Sequence, residues 1–287
     1  MLIRTGYDIA FETEVPVPMV ALLNVRPERQ NDLRTPEVLQ TDPPVPYRQY
    51  IDAFGNVASR LVVPEGGIRL SADFVIEDSG EPDAVAPDAR QHPIDELPDE
   101  TLHFLMSSRY CEVSQLVDEA WEIARDHEAG WHRVQALVTA AHERITFDYA
   151  KASTEKTARS VFDERSGVCR DFAHLAITLC RAVNIPARYC TGYLGDIGID
   201  PIDAPMDFSA WFEAYLGGRW YTFDARHNTP RIGRIVMARG RDATDTAITT
   251  AFGAATLARF KVHTDEVAGT DLSRPPNETA LPQKAPA

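Results

Sequence analysis

An apolar pattern between residues 172 and 183 constrains the fold of this chain most. Its members recur at steps of three and four residues, and Asn184-Ile185-Pro186 follows, so the pattern predicts an amphipathic helix that ends there. Cys169 comes just before the pattern, at the expected start of the helix. The N–H groups of a first helical turn lack intrahelical partners, and together with the helix dipole they favour a thiolate and can hold an oxyanion. Cys169 is therefore a candidate nucleophile, although most free cysteines are simply small buried residues.

The composition argues against several classes of partner. The 287 residues carry a net charge of −14 without a run of Lys and Arg, which argues against nucleic acid. No window approaches the roughly 20 apolar residues of a membrane span, and the first residues lack the features of a secretory signal, so we expect a cytoplasmic protein without membrane contact. The cysteines, at positions 111, 169, 180 and 190, show no metal-ligand spacing and are predicted to be reduced. Without a zinc-protease or phosphate-loop motif, we expect no metal and no cofactor.

The chain divides by composition into four parts. Residues 1–85 contain β-leaning runs separated by proline and glycine, which predicts an N-terminal antiparallel β-domain. Residues 86–106 are predicted to be a linker, residues 107–267 a core domain, and residues 268–287 a disordered tail. Within the core, two helical patterns precede Cys169, one around residues 116–124 and one from 134 to 145.

A glycine pair predicts a β-hairpin further along the core. Gly217-Gly218 separates two β-leaning runs, so residue 216 should pair with residue 219, and side chains should alternate between two faces. One face is apolar and should pack in the core. The other face carries Ser209, Trp211 and Asp224 among polar and amphipathic residues, and it is free to face a cleft. Ser209 and Asp224 would be diagonal neighbours on that face, about 7 to 8 Å apart at the backbone.

These motifs together resemble the core of the bacterial transglutaminase-like superfamily. The resemblance spans roughly residues 110–262, and it is carried by the segments 166–175, 184–189, 210–215 and 220–225. It implies an α+β, papain-like fold with a Cys, His, Asp triad in that chain order, and the β-rich residues 1–80 resemble the N-terminal domain that often precedes it. By motif position, the nucleophile falls on Cys169 and the orienting acid on Asp224.

The sequence departs from the family pattern at one catalytic position. The family's histidine precedes Ala-Trp in the first hairpin strand, where this chain has Ser209. A serine hydroxyl is neutral and too short to act as the imidazole base. Two other histidines are candidates for a replacement base. His174 should point away from the thiol on its helix, and His227 should lie past the strand end, so it could substitute only if the loop folded back.

The resemblance implies a cysteine peptidase or acyltransferase that acts on amide or peptide bonds through a Cys169 thioester. Its substrate would be a peptide or protein; the sequence does not indicate an oligomeric state. Because of Ser209 we expect this chain to be inactive or impaired, with a thiol pKa at Cys169 lowered only by the helix terminus. Trp211 could line a substrate groove or simply pack against another element. Two alternatives stay open: a catalytically dead peptide-binding pseudoenzyme, and an active enzyme in which the serine is an incidental change.

Overall fold

The computed structural model describes residues 1–200 and 205–267 of the chain, so the predicted tail at 268–287 lies outside the described residues. The strands are β1 Leu2–Glu12, β2 Val17–Ala21, β3 Gln40–Asp42, β4 Arg48–Ile51, β5 Val57–Val63, β6 Ile68–Glu77, β7 Thr146–Phe147, β8 Ser166–Gly167, β9 Ala187–Tyr193, β10 Ser209–Leu216, β11 Arg219–Phe223, β12 Ile235–Gly240, β13 Thr249–Ala251 and β14 Thr256–Glu266. The α-helices are α1 Asp99–Leu102, α2 Val117–Ala124, α3 Trp131–Arg144, α4 Ala158–Glu164 and α5 Cys169–Ala182. Short 3-10 helices occupy Pro27–Asp32, Ile94–Glu96, His103–Leu105, Val113–Gln115 and Tyr149–Lys151.

The first 77 residues supply most of two four-stranded sheets, with the strand orders β14-β1-β6-β3 and β13-β2-β5-β4. The pairs within both sheets are antiparallel, as the sequence predicts. Their apolar side chains share one buried cluster that includes Ile3, Ile9, Met19 and Leu70. This cluster forms the core of the N-terminal part.

The last two strands complete these N-terminal sheets. The sequence boundaries assign them to the core at 107–267, but β14 pairs with β1 from Ile3–Glu266 to Glu12–Thr256, and β13 pairs with β2. Pairing with β14 covers an edge of β1 that would otherwise be open to solvent. Val262 of β14 also joins the buried N-terminal cluster, so the burial of apolar surface favours the same arrangement.

The core packs helices on one face of the antiparallel sheet β11-β10-β9-β12. Helix α5 contacts β9 and β10 on one side and α2, α3 and α4 on the other. Its two ends match the apolar pattern in the sequence, and its buried side chains belong to one continuous apolar cluster with the hairpin. The α+β architecture expected from the sequence is confirmed. None of the helices in the described parts of the chain is long and apolar enough to cross a membrane.

The hairpin register follows the glycine pair as predicted. Leu216 pairs with Arg219, and the ladder continues to the pair Phe212–Phe223. Both turn glycines have positive φ, 55° and 86°, as a two-residue turn of this kind requires. The ladder then stops. The sequence predicts that residue 224 pairs with 211 and residue 226 with 209, and neither pair forms. Phe223 is the last residue of β11, and the chain turns away at Asp224.

The segment predicted to be a linker packs along the core. The carbonyl of Ala89 accepts the N–H of Trp131 at 2.9 Å, and the carbonyl of Arg90 accepts the N–H of Gly217 at 2.9 Å. The first of these bonds joins the segment to the start of α3, and the second joins it to the hairpin turn. Residues 86–106 therefore do more than link the N-terminal part to the core: they also bind helix α3 and the hairpin turn.

Candidate active site

Cys169 occupies the first position of α5, and a buried carboxylate fixes the turn before it. Oδ2 of Asp171 accepts the backbone N–H of Val168 at 2.9 Å, and the Asp171 side chain is fully buried. The carboxylate packs against Gly167, where a Cβ would stand only 2.6 Å from Oδ2. A glycine is required there by this close approach. Gly167 and Asp171 together hold the start of the helix, and with it the cysteine, in place.

The Cys169 thiol lies against the first strand of the hairpin. The backbone N–H of Ala210 lies near its sulfur and lowers the pKa of the thiol. Burial raises the pKa of the thiol to about 11, and the nearby Arg226 guanidinium offsets this only in part. The expected lowering by the helix terminus is therefore wrong in sign, because removing the thiolate from water outweighs the favourable dipole. Reaction at neutral pH requires a group that takes the proton from sulfur.

One cavity brings Cys169 together with two residues singled out in the sequence, Ser209 and His227. Ser209 is the residue before Ala210, so the influence of the Ala210 N–H on the thiol and the shared cavity agree in placing position 209 near Cys169. The rest of the cavity is lined by Tyr149, Leu194, Asp196, Pro205, Met206, Asp207, Phe208, Arg226 and Arg231. The cavity lining therefore combines apolar side chains with both acidic and basic groups.

Asp224 is buried at the end of β11, with its side chain 2 % exposed. Oδ1 accepts the backbone N–H groups of Arg226 and His227 at 2.9 and 3.0 Å. Oδ2 lies 2.9 Å from Nδ1 of His227 and accepts a hydrogen bond from Nη2 of Arg234 at 2.8 Å. Burial alone would raise the pKa of Asp224, but Arg234 and His227 outweigh it and hold this pKa well below its ordinary value. Asp224 is thus an ionised acceptor at neutral pH, as an orienting acid must be.

Trp211 lies away from the Cys169 cavity. Trp211 is 2 % exposed, and its ring packs with Cys190 and Val236. The Arg234 guanidinium lies over the ring, 5.0 Å from its centroid. It borders a separate cavity, next to Glu213 and Arg239. The prediction that Trp211 lines the substrate groove does not fit this position. On this face the Arg234 guanidinium covers Trp211, whereas the sequence pattern left the face open.

Sequence reasoning missed Arg234 and gave His227 little weight. Arg234 follows Asp224 by ten residues and no motif marks it, so only the folded loop shows their contact. His227 follows Asp224 by three residues, and an aspartate that caps its own following turn is the local signal that could have found it. His174 is a core residue as interpreted: its Nε2 accepts the N–H of Ala243 at 3.1 Å, and its ring stacks on Tyr110.

The four cysteines are free thiols in the structure. Within residues 1–200 and 205–267, no group of three or more His, Cys, Asp or Glu side chains is placed to hold a metal ion.

Comparison with known proteins identifies the family of this site. Residues 118–225 match the model of the transglutaminase-like superfamily, and this range contains Cys169, Ser209 and Asp224. The crystal structure of a candidate cysteine protease from Cytophaga hutchinsonii is similar over 94 % of this chain and 92 % of its own, with 28 % identity and a TM-score of 0.78. The segment 118–225 is therefore transglutaminase-like. The resemblance expected from the sequence motifs is confirmed.

Two further relatives of this transglutaminase-like chain are more distant. An uncharacterized protein of Mycobacterium leprae is 27 % identical over 218 residues, which cover 73 % of this chain and 77 % of that protein. The periplasmic domain of TgpA from Pseudomonas aeruginosa is 16 % identical over 78 % of this chain and 90 % of its own. The TM-score of 0.40 makes this a weak structural likeness.

Proposed function

We propose that this chain catalyses acyl transfer from an amide or peptide bond of a peptide or protein substrate, through a thioester on Cys169. One observation carries the proposal: the thiol at the first position of α5 shares a cavity with position 209 of the hairpin strand. The match of residues 118–225 to the superfamily model and the likeness to a candidate cysteine protease support the same chemistry. The acceptor would be water in a peptidase or an amine in a transferase.

The chemistry starts with the proton on sulfur. With a thiol pKa of about 11, roughly one thiol in 10⁴ would be ionised at pH 7, so a base must assist the attack. The thiolate would add to the substrate carbonyl, and the backbone N–H of Cys169 would help to hold the oxyanion at the helix start. Departure of the amine would leave the thioester, which the acceptor then resolves. Asp224 would orient the imidazole that shuttles the protons.

Ser209 slows this chemistry, because the hairpin strand supplies no imidazole. We therefore expect the chain to be impaired relative to a variant with histidine at 209. The same serine favours a second candidate function, a pseudoenzyme that keeps the cavity for binding peptides and has lost turnover. The two differ in one respect: the enzyme needs only a base to work faster, whereas a binding module has no reason to keep Cys169 and Asp224 in working positions.

The variant Ser209→His tests the proposal. It should show Cys169-dependent hydrolysis or amine incorporation on a glutamine- or peptide-based substrate, and the gain over a protein with no other imidazole base should be about 10²- to 10⁴-fold, the range of general-base catalysis. The activity should vanish when Cys169→Ala is added and fall strongly when Asp224→Ala is added. A folded Ser209→His protein without turnover on a peptide and amide panel, together with tight peptide binding by the parent, would favour the pseudoenzyme.

A further inference from the structure

The turn after β11 folds back over Asp224. The carbonyl of Asp224 accepts the N–H of Asn228 at 2.8 Å, in addition to the two N–H groups bound by the carboxylate. Asn228 in turn binds helix α3: its Oδ1 accepts from Nε2 of Gln135 at 2.7 Å, and its Nδ2 donates to Oγ1 of Thr139 at 3.2 Å. The turn that contains His227 is thus held by Asp224 at its start and by helix α3, through Asn228, at its end.

The orientation of the His227 ring follows from its contact with Asp224. Nδ1 lies 2.9 Å from Oδ2 of an ionised carboxylate, so this nitrogen carries a proton and donates it. In a neutral imidazole the other nitrogen, Nε2, then has a free electron pair and can accept a proton. The side chain is 17 % exposed and lines the cavity that contains Cys169. A carboxylate that fixes one ring nitrogen of a histidine, in a cavity that the histidine shares with a nucleophile, is the combination required for a base and its orienting acid.

We propose that His227 is the imidazole base of this site and takes the place of the histidine that Ser209 replaces. The inference rests on the proposed acyl transfer. Asp224 then keeps its role as the orienting acid, but it orients a histidine on the turn that follows it rather than one on the neighbouring strand. This explains why Asp224 is buried and ionised in a chain whose strand offers it no imidazole.

The proton transfers balance in two half-reactions. Nε2 of His227 takes the proton of the Cys169 thiol, directly or through one water, as the sulfur bonds to the carbonyl carbon. The same proton passes to the departing nitrogen when the C–N bond breaks, which leaves the thioester. An acceptor, water or an amine, then gives a proton to Nε2 while it attacks the thioester carbon. That proton returns to sulfur as the C–S bond breaks, and the site is restored.

The charges around the cavity are compatible with an ion pair of thiolate and imidazolium. Arg226 lowers the pKa of the thiol, whereas Asp207 and Asp224 raise it. Asp224 stabilises the imidazolium through its hydrogen bond, and its own charge is balanced by Arg234. The remaining charged groups that line the cavity are Asp196 and Arg231. Proton transfer from sulfur to His227 therefore separates charge in a site that already contains both signs.

The variant His227→Gln tests the inference, because glutamine can still donate a hydrogen bond to Asp224 but cannot accept a proton at neutral pH. We expect the Cys169-dependent kcat of the parent to fall at least 10²-fold with little change in KM. Free imidazole should restore part of the activity of His227→Ala. The rate of thiol alkylation by iodoacetamide should shift to higher pH in both variants, a change that a merely structural role would not produce.

A matched control is present elsewhere in the chain. Nε2 of His263 lies 3.2 Å from Oδ1 of Asp73 in the N-terminal sheets, so His263→Gln removes a second histidine–aspartate pair that does not line the Cys169 cavity. This variant should keep the parent kcat and alkylation profile. The double variant Ser209→His with His227→Gln should regain Cys169-dependent turnover, which would show that the His227 substitution leaves the fold intact.

The outcomes separate this inference from the proposed function. If His227→Gln keeps kcat and the alkylation profile within threefold of the parent, the inference is wrong and His227 only caps the turn. If the parent has no Cys169-dependent turnover but Ser209→His does, the inference is wrong and the proposed function stands. If Ser209→His has none either, the proposed function fails, and the inference fails with it.

Discussion

Asp224 and Arg234 form a buried ion pair, with Nη2 2.8 Å from Oδ2 and side chains that are 2 % and 7 % exposed. The same guanidinium donates from Nε to Asp83 at 2.8 Å and lies over the ring of Trp211. Arg234 thus joins the end of β11 to the segment that follows the N-terminal strands. The carboxylate that serves the candidate active site is also part of the contact between the two parts of the chain.

Loss of this ion pair should destabilise the protein strongly. Arg234→Gln leaves Asp224 and Asp83 buried without their cation, and breaking a buried pair from one side costs about 3 to 5 kcal/mol in the free energy of unfolding. Arg259→Gln is the matched control, because it removes an exposed pair with Asp8 and should cost less than about 1 kcal/mol. Urea unfolding of both variants measures the difference.

The destabilisation should also depend on pH. The pKa of Asp224 is lowered in the folded protein, so its stabilising effect is full above the unfolded carboxyl pKa, about 4, and is lost as pH falls further. The gap between Arg234→Gln and the parent should therefore narrow below about pH 4. Equal costs for the two arginine variants at pH 7, or a gap that widens in acid, would contradict the role assigned to Arg234.

A substitution at Gly167 should disturb the start of helix α5. The Cβ of Gly167→Ala would stand 2.6 Å from Oδ2 of the buried Asp171, and overpacking of this kind costs about 1 to 3 kcal/mol. Asp171→Ala alone should cost about 1 to 3 kcal/mol, because the N–H of Val168 loses its buried acceptor. In the double variant the clash is absent, so the combined cost should fall below the sum by about 1 kcal/mol or more. Additive costs in thermal unfolding would show that the two residues do not contact as described.

Glu37 should make stability fall as pH rises. Burial raises the pKa of its carboxyl to about 7, and the N–H of Val25 donates to Oε1 at 2.9 Å. Below about pH 4 the carboxyl is protonated in both the folded and unfolded states. Between about pH 4 and 7 only the unfolded chain ionises, so the free energy of unfolding should drop by on the order of 2 kcal/mol. Glu37→Gln should remove most of this drop, whereas the exposed Glu65→Gln should leave it unchanged; parallel curves for all three proteins would refute the prediction.

Local patterns in the sequence predicted the elements that carry the site. The apolar period ending before Pro186 located helix α5 and placed Cys169 at its start, because a helix with one buried face must repeat apolar residues at helical steps. Gly217-Gly218 located the turn and with it the hairpin register, because a turn with two positive φ values restricts which residues can form it. Both features depend on residues within about 15 positions of each other.

The features that the sequence did not reveal depend on distant contacts. Arg234 binds both Asp224 and Asp83, and Asp83 lies 151 positions before it in the sequence. The Arg234 guanidinium lies over the Trp211 ring, and no period in the hairpin itself encodes this contact. Patterns of period 2 show that a face is apolar or amphipathic, but they do not show which element packs against it.

The central claim is that Cys169 is the nucleophile that carries the acyl group, and the most direct measurement is a mass determination of the acid-quenched protein. The parent would be mixed with an activated ester of a short acyl peptide, quenched, digested and mapped. We predict one acyl adduct, on Cys169, that hydroxylamine removes and that Cys169→Ala abolishes together with ester consumption. The fully buried thiols of Cys111, Cys180 and Cys190 should stay unmodified. Consumption of the ester by Cys169→Ala at the parent rate, or an adduct on another residue instead, would contradict the account.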